Sequence, residues 1–499
     1  MWIVAITFGP STPGQHLPCD SVPRRRWGFE LTLALLGLAG FALRVGYVLA
    51  FRRSVVPLAG DAYYYSAGAD LIAGGRGFIE PLAASAGHVV QAADHPPLYE
   101  LWLTIASVVD PGHETWQVTH MLWSCVLGAG SVVFCGLVGR RVAGPRCGLV
   151  AAALAVVYPN MWLHDGALLS ETMSIFMVSL TLWSAYRFWD VPVWPRAAWL
   201  GICCGLAALS RPELILMLPL LLLPLAALVK AVPIRRKLGW LAAGGATALA
   251  TLAPWVAFNF SRFEEPVYIS TNFGSAMAAA NCDSTYYGDL IGYKDYACAD
   301  ETFRAAEART PGWDELDGSQ RERQVRREVF RYIGDHVDRL PVVMAARLGR
   351  ALKVYGVGQE IDYDDLIHGQ ERWVVYAGLV SWYIVAGLAI AGAVMLRRRR
   401  EVPVFPLLVV PAITLLAVAA IFAQTRYRAP AEPAVVILAA VAIDAMSRRR
   451  RAESPAEADE HPAAEALAQP VHVTVMSRFG GSRGLRSWGR PESGPVTIA

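Results

Sequence analysis

Charge is scarce in this chain. Of its 499 residues only 17% are Asp, Glu, Lys or Arg, while 55% are hydrophobic. So many apolar runs cannot all be hidden from water, which excludes an ordinary soluble protein. Cysteine is scarce too: there are eight, and none has the spacing of a metal site. Cys125, Cys135, Cys147, Cys203 and Cys204 lie in or beside apolar segments, where a thiol behaves as a small hydrophobe. A Gly-rich phosphate loop, an Asp-x-Asp in the first polar loop and a strong internal repeat are all missing. The last absence weighs against transporter folds built from repeated halves. Met1 to Pro23 is broken by prolines, and its charges follow the apolar part rather than precede it, unlike a cleavable signal peptide.

What the chain does have is a series of apolar runs long enough to cross ~30 Å of hydrocarbon. Arginine clusters at 24–26, 140–146, 235–237, 397–400 and 448–451 sit at their ends, which marks those ends as cytoplasmic and argues against a nucleic-acid partner. Ten spans are expected, near 27–50, 116–139, 147–163, 172–189, 197–209, 214–229, 238–258, 373–396, 404–422 and 430–446. Arg44 lies inside the first, where it snorkels or faces a polar cavity. The nine apolar residues Leu101 to Val109 are too few to span, so Pro97 to Asp110 reads as an interfacial or re-entrant helix. The resulting division is a cytoplasmic segment 1–26, a membrane core 27–260 with its first outer loop at 51–115, an outer loop domain 261–372, membrane helices 373–446 and a disordered tail 447–499. Within the loop domain, "PVVMAARLGRALKVYG" suits an amphipathic helix on the membrane surface. Cys282 and Cys298 can pair there if that side is oxidising.

This topology puts Asp61, Asp94, His95, Asp165, Glu171, Arg211, Glu213, Arg426 and Arg428 on the outer side or within a turn of it. Each has two readings. Asp61 in "GDAYYY" is a helix N-cap or a general base. Asp94 and His95 in "DHPPLYELW" precede a proline-started helix, whose N-terminus favours an anion; the alternative for His95 is an interfacial side chain or second cap. Glu171 in "LLSETMSIF" is ordinary helix-start chemistry or the edge of a catalytic cavity. Arg426 and Arg428 in "RYRAPAEP" fit phosphate oxygens or snorkel to the surface, and Arg211 in "SRPE" is a weaker candidate of the same kind.

The order of these segments resembles the GT-C glycosyltransferases, above all the family 39 protein O-mannosyltransferases and the lipid A aminoarabinose transferases. An acid in the first outer loop is followed by "HPPLYELW", a short helix and a span closing in "GRR"; "SETMSIF" resembles their Asp/Glu-Met segment, and "RYRAPAEP" their R-Y-x-x-P-x-x-P signature. The resemblance covers roughly 27–446. It implies an all-α polytopic bundle of about 10–13 transmembrane helices with outer loops and interfacial helices. It also implies transfer of a sugar from a polyprenyl phosphate to an envelope acceptor, on the extracytoplasmic side of the plasma membrane. Carried over, Asp61 and Glu171 are the catalytic acids, His95, Arg211, Arg426 and Arg428 bind the donor phosphate, and Asp94 positions. Where relatives have an acid and a lysine before the prolines, this chain has Asp94 and His95, and Ala62 follows Asp61. No cofactor is required by this chemistry, although Asp61 with Glu171 offers a divalent metal two ligands. The rival readings are a transporter or lipid flippase, and a scaffold without chemistry.

Overall fold

The computed structural model describes residues 25–55, 60–110 and 116–453. Most of the expected segment 1–26 and of the tail 447–499 lies outside the described residues. The described chain is helical, with one isolated β-bridge between Ile79 and Gln91.

In chain order, α1 (Arg25–Tyr47) continues into a short π-helical turn, and α2 (Gly60–Ala73), α3 (Pro81–Ser85) and α4 (Pro97–Val109) form the first loop region. A membrane-type bundle follows: α5 (Trp116–Ala143), α6 (Pro145–Val157), α7 (Glu171–Asp190), α8 (Trp194–Ala208), α9 (Met217–Leu228) and α10 (Ile234–Phe260). The loop domain holds α11 (Phe273–Ala278), α12 (Asp283–Tyr286), α13 (Tyr296–Ala308), α14 (Gly318–Asp335), α15 (Leu340–Ala351) and α16 (Val357–Leu366). The chain then returns through α17 (Arg372–Arg399), α18 (Phe405–Ala420) and α19 (Glu432–Glu453).

Among the described residues, five helices are long and apolar enough to cross a membrane, those at Gly28–Arg52, Gln117–Ala143, Ile234–Phe260, Arg372–Arg399 and Thr425–Arg448. The remaining five expected spans are helical as well, but several are short for a physical reason. The run expected to span 147–163 stops at Val157, because Pro159 cannot continue the helix and starts a 3-10 turn. The run from Leu214 begins helical only at Met217, after a 3-10 turn opened by Pro212.

Packing explains the two helices that look least like lipid-facing spans. α7 is buried along nearly its whole length, from Glu171 to Phe188, and Ser174, Ser179 and Thr181 bond backbone carbonyls one turn back rather than meet lipid. α19 is small-residue rich (Ala434, Ala439, Ala440, Ala442), which lets neighbours close in; a side chain on Gly392 of α17 would collide with the Leu438 backbone.

One expectation changes here. Arg44 neither snorkels nor lines a polar cavity. Its Nε donates to Asp165 at 2.8 Å, its other nitrogens to the carbonyls of Gly40, Ala155 and Met161, and Thr172 donates to the second Asp165 oxygen. The basic residues of α15 turn into the protein. Arg347 and Arg350 are among the largest fully buried side chains, while Val342 and Met344 are exposed. The helix is amphipathic, with its charged face turned into the protein, because that face meets unpaired loop carbonyls.

Candidate active site

Asp61 lies in the first turn of α2, behind Gly60, whose φ of +76° is a conformation that glycine adopts without strain. Its carboxylate is turned away from its own helix. Oδ2 accepts from the Arg426 guanidinium at 2.6 Å and Oδ1 lies 3.6 Å from His95 Nε2, while 32% of the side chain stays open. Burial works to raise this carboxyl's pKa, but Arg426, His95 and Lys294 outweigh it and hold it well below the usual carboxylate range.

His95 reaches Asp61 because its ring is wedged between those of Tyr64 and Tyr65, 4.8 and 4.9 Å away centre to centre. Pro96 and Pro97 fix the chain direction after it, and the next amide, of Leu98, donates to Leu209 O at 3.0 Å. Two of the three tyrosines of "AYYYS" thus build the wall that aims His95. Asp94 lines the same cavity and accepts from Thr271 Oγ1 at 3.2 Å; its burial raises its pKa.

Arg426 is carried by the 3-10 turn Thr425–Ala431 between α18 and α19. Besides Asp61 it faces Glu171 Oε1 at 3.7 Å, and its Nε donates to Gln424 Oε1 at 3.2 Å. Glu171, at the start of α7, also faces Arg211 at 3.4 Å, and Arg211 faces Glu213 at 3.7 Å. Glu171 Oε2 has no hydrogen-bond partner among the described residues. The result is an alternating row: His95, Asp61, Arg426, Glu171, Arg211, Glu213. Each charge has a neighbour of opposite sign, which lets six ionisable groups share a largely buried rim.

These residues line one cavity of about 2240 Å³, part of it open to solvent. Its other walls come from the loop domain and α18, including Tyr268, Lys294, Tyr296, Phe422 and Tyr427. Lys294 and Tyr296 were not singled out from the sequence. Both lie between the two loop cysteines, which form a disulfide, and a lone lysine in an irregular loop has no periodicity to mark it.

Arg428 does not join this group. It is buried on the other side of the turn, where Nε donates to Glu432 at 2.7 Å, Nη1 to Ala351 O at 2.8 Å, and the guanidinium sits 3.5 Å from the Trp382 ring centre. Arg426 and Arg428, two positions apart in the motif, hold different partners, although both border a smaller cavity with Lys353 and Asp364. Asp165 is likewise spent on Arg44. The pairing of Asp61 and Glu171 around a metal also does not match the arrangement: Arg426 stands between them, and no cluster of three or more metal-ligating side chains occurs among the described residues.

Residues 94–258 match the family model described as dolichyl-phosphate-mannose-protein mannosyltransferase, about a third of the chain. No curated protein matches by sequence. Among solved structures, the oligosaccharyltransferase AglB of Archaeoglobus fulgidus, in complex with an inhibitory peptide and a dolichol-phosphate, superposes with a TM-score of 0.51 at 15% identity, over 87% of this chain and 52% of AglB. The A. fulgidus oligosaccharyltransferase tethered to an acceptor peptide gives 0.51 at 16% identity, over 86% and 50%. ArnT of Cupriavidus metallidurans bound to undecaprenyl phosphate gives 0.39 at 13%, over 85% and 79%.

The chain has the GT-C glycosyltransferase fold. It spans about half the length of the oligosaccharyltransferase it matches. Within this GT-C fold, the segment matching the family model holds Asp94, His95, Glu171 and Arg211, whereas Asp61, Lys294 and Arg426 come from outside it. Folding therefore completes the site with residues from both flanks of the matched segment.

Proposed function

We propose that this membrane protein transfers a sugar from a polyprenyl-phosphate donor to an acceptor hydroxyl, with inversion, on the extracytoplasmic side of the plasma membrane. One observation carries the reading. A partly open carboxylate, Asp61, stands at a cavity rim beside the Arg426 guanidinium and the His95 imidazole, with the Lys294 ammonium on the wall of the same cavity. An acid aimed at the acceptor and cations aimed at a leaving phosphate are the two things such a transfer needs. The lipid phosphate named for the AglB complex supports the donor class.

The acceptor oxygen attacks the anomeric carbon as the bond from that carbon to the phosphate oxygen breaks. The phosphate leaves with the electron pair, and the hydroxyl proton passes to Asp61. A carboxylate held at low pKa is a weak base, but a phosphate is a good leaving group. The proton then moves late, once attack has made the hydroxyl acidic, and the main task of Asp61 is to orient it. Arg211, His95 and Lys294 offset the charge developing on the phosphate, and Arg426 holds Asp61 in place. The envelope acceptor can be protein, lipoglycan or cell-wall glycan. The transporter or flippase alternative has no observation in its favour: the polar residues gather at one rim.

The test supplies purified protein with radiolabelled polyprenyl-phosphate sugars and an envelope acceptor extract. Transfer that disappears in Asp61→Asn is the expected result. No transfer from any donor, together with full cellular function of Asp61→Asn, removes the reading.

A further inference from the structure

Lys294 enters the cavity from a loop that the protein goes to some length to hold in place. The loop is closed by the Cys282–Cys298 disulfide, 16 positions apart. α15 grips it from outside. Arg347 Nη2 donates to Ala280 O at 2.8 Å and Asn281 Oδ1 at 3.2 Å, and its Nη1 donates to the carbonyls of Ala419 and Ala420, both at 3.1 Å. Arg350 donates to Ile291 O at 2.8 Å and Asp289 O at 2.9 Å. The buried basic face of α15 therefore ties the loop to the end of α18, the helix that leads into Arg426.

The loop is also fitted closely. Gly292 has φ +73°, its amide donates to Thr285 O at 2.9 Å, and a side chain there would meet the Arg347 backbone at 2.7 Å. Ala423 N donates to Gly292 O at 3.3 Å, which joins the loop directly to the Arg426 segment. Asp295, the acid next to Lys294, is turned away: it accepts from Ser284 Oγ at 2.6 Å and from the Ala297 amide at 3.0 Å. Lys294 itself makes no ion pair among the described residues. Its ammonium lies 4.4 Å from the Tyr296 ring centre and 5.4 Å from that of Phe422, aromatic walls of the same cavity.

The other cations of the rim differ in this respect. Arg426 and Arg211 are each paired with carboxylates, and His95 faces Asp61. Building on the donor class proposed above, we propose that Lys294 contacts the donor phosphate, and that the closed disulfide is what presents it. A lysine ammonium held by a tyrosine side chain and by no carboxylate within ion-pair distance gives up less for phosphate oxygens than a paired guanidinium, which must first release its carboxylate. Closing the loop removes the alternative positions that a flexible segment would sample before the contact forms.

The experiment measures binding of radiolabelled undecaprenyl monophosphate to the full-length protein in detergent. Lys294→Met is expected to weaken binding about tenfold, the loss of one charge-assisted contact, and Lys294→Arg to keep it within about twofold. Cys282→Ser/Cys298→Ser is expected to weaken binding to a similar extent, and adding Lys294→Met to that pair to bring no further loss. Circular dichroism and thermal melts of Lys294→Met, a side chain only half-buried, separate a binding loss from misfolding. Unchanged affinity in Lys294→Met overturns the contact. Unchanged affinity in the cysteine pair, with Lys294→Met weakened, overturns the role of the disulfide. If the unaltered protein binds no polyprenyl phosphate, it is the proposed function that fails.

Discussion

Asp61 and Arg426 meet across 365 positions of sequence, carboxylate to guanidinium at 2.6 Å. The contact joins the segment after the first helix to the turn before the last one. It also separates the two roles an acid can have here, since a helix cap would have turned the carboxylate toward its own amides.

Removing either partner has different consequences. Asp61→Asn is expected to lower kcat by about 10²–10⁴, the range for a positioned acid or base, with a smaller drop in melting temperature than Arg426→Met, because Arg426 keeps Glu171 as a partner. Arg426→Met leaves Asp61 and Glu171 without their shared cation, so both activity and thermal stability fall. Equal loss of stability in the two variants would show that the pair is structural only.

Glu100 predicts a pH effect on stability. It is buried under α2, where a side chain on Gly68 would collide with it. Burial, aided by Asp94 and opposed by Arg262, pushes its carboxyl up to about 8. A folded-state pKa above the unfolded one gives stability that is complete below the unfolded pKa and is lost as pH rises through the folded value. Melting temperature therefore falls between roughly pH 5 and pH 8 through this group, and Glu100→Gln flattens that part of the profile. An unaltered slope in the variant shows that another group is responsible.

Arg44 and Asp165 form a buried pair. Breaking it from one side, as in Arg44→Met, leaves an unpaired carboxylate and costs about 3–5 kcal/mol. The double variant Arg44→Met/Asp165→Leu recovers a large part of that loss. Thermal unfolding of the two single variants and the double one forms the cycle, and strictly additive losses count against the pair.

Arg211 and Arg428 should part company in kinetics. Arg211 lines the cavity, whereas Arg428 is enclosed by Glu432, the Ala351 carbonyl and Trp382. Arg211→Ala raises the KM for a polyprenyl-phosphate sugar by about tenfold, the worth of a charged contact. Arg428→Ala lowers stability and leaves that KM within about twofold. A donor KM effect as large in Arg428→Ala as in Arg211→Ala contradicts this division.

Much of the fold was legible because bilayer crossing imposes one simple demand, a long apolar run, and arginines mark its ends. Boundaries were less legible where Pro159 and Pro212 replace helix by 3-10 turns inside apolar sequence, since composition does not change there. The candidate site was partly legible. Asp61, Asp94, His95, Glu171, Arg211 and Arg426 share one cavity. Arg428 does not, because motif membership says nothing about which partners each side chain finds. The partners of the α15 charges were not legible for a related reason: helical spacing shows that the charges share a face, but not what the face meets.

The sequence by itself determined that this is a polytopic helical membrane protein with acids and arginines near one set of helix ends, because hydrophobic length and charge flanks are local properties. Only the tertiary structure decided which of those charges neutralise one another and which stay available. Arg44 was claimed by Asp165, Arg428 by Glu432 and Arg347 by loop carbonyls, while Asp61 and Lys294 were left facing the cavity. Pairing of buried charges depends on distances between remote segments, and those distances exist only once the helices have packed.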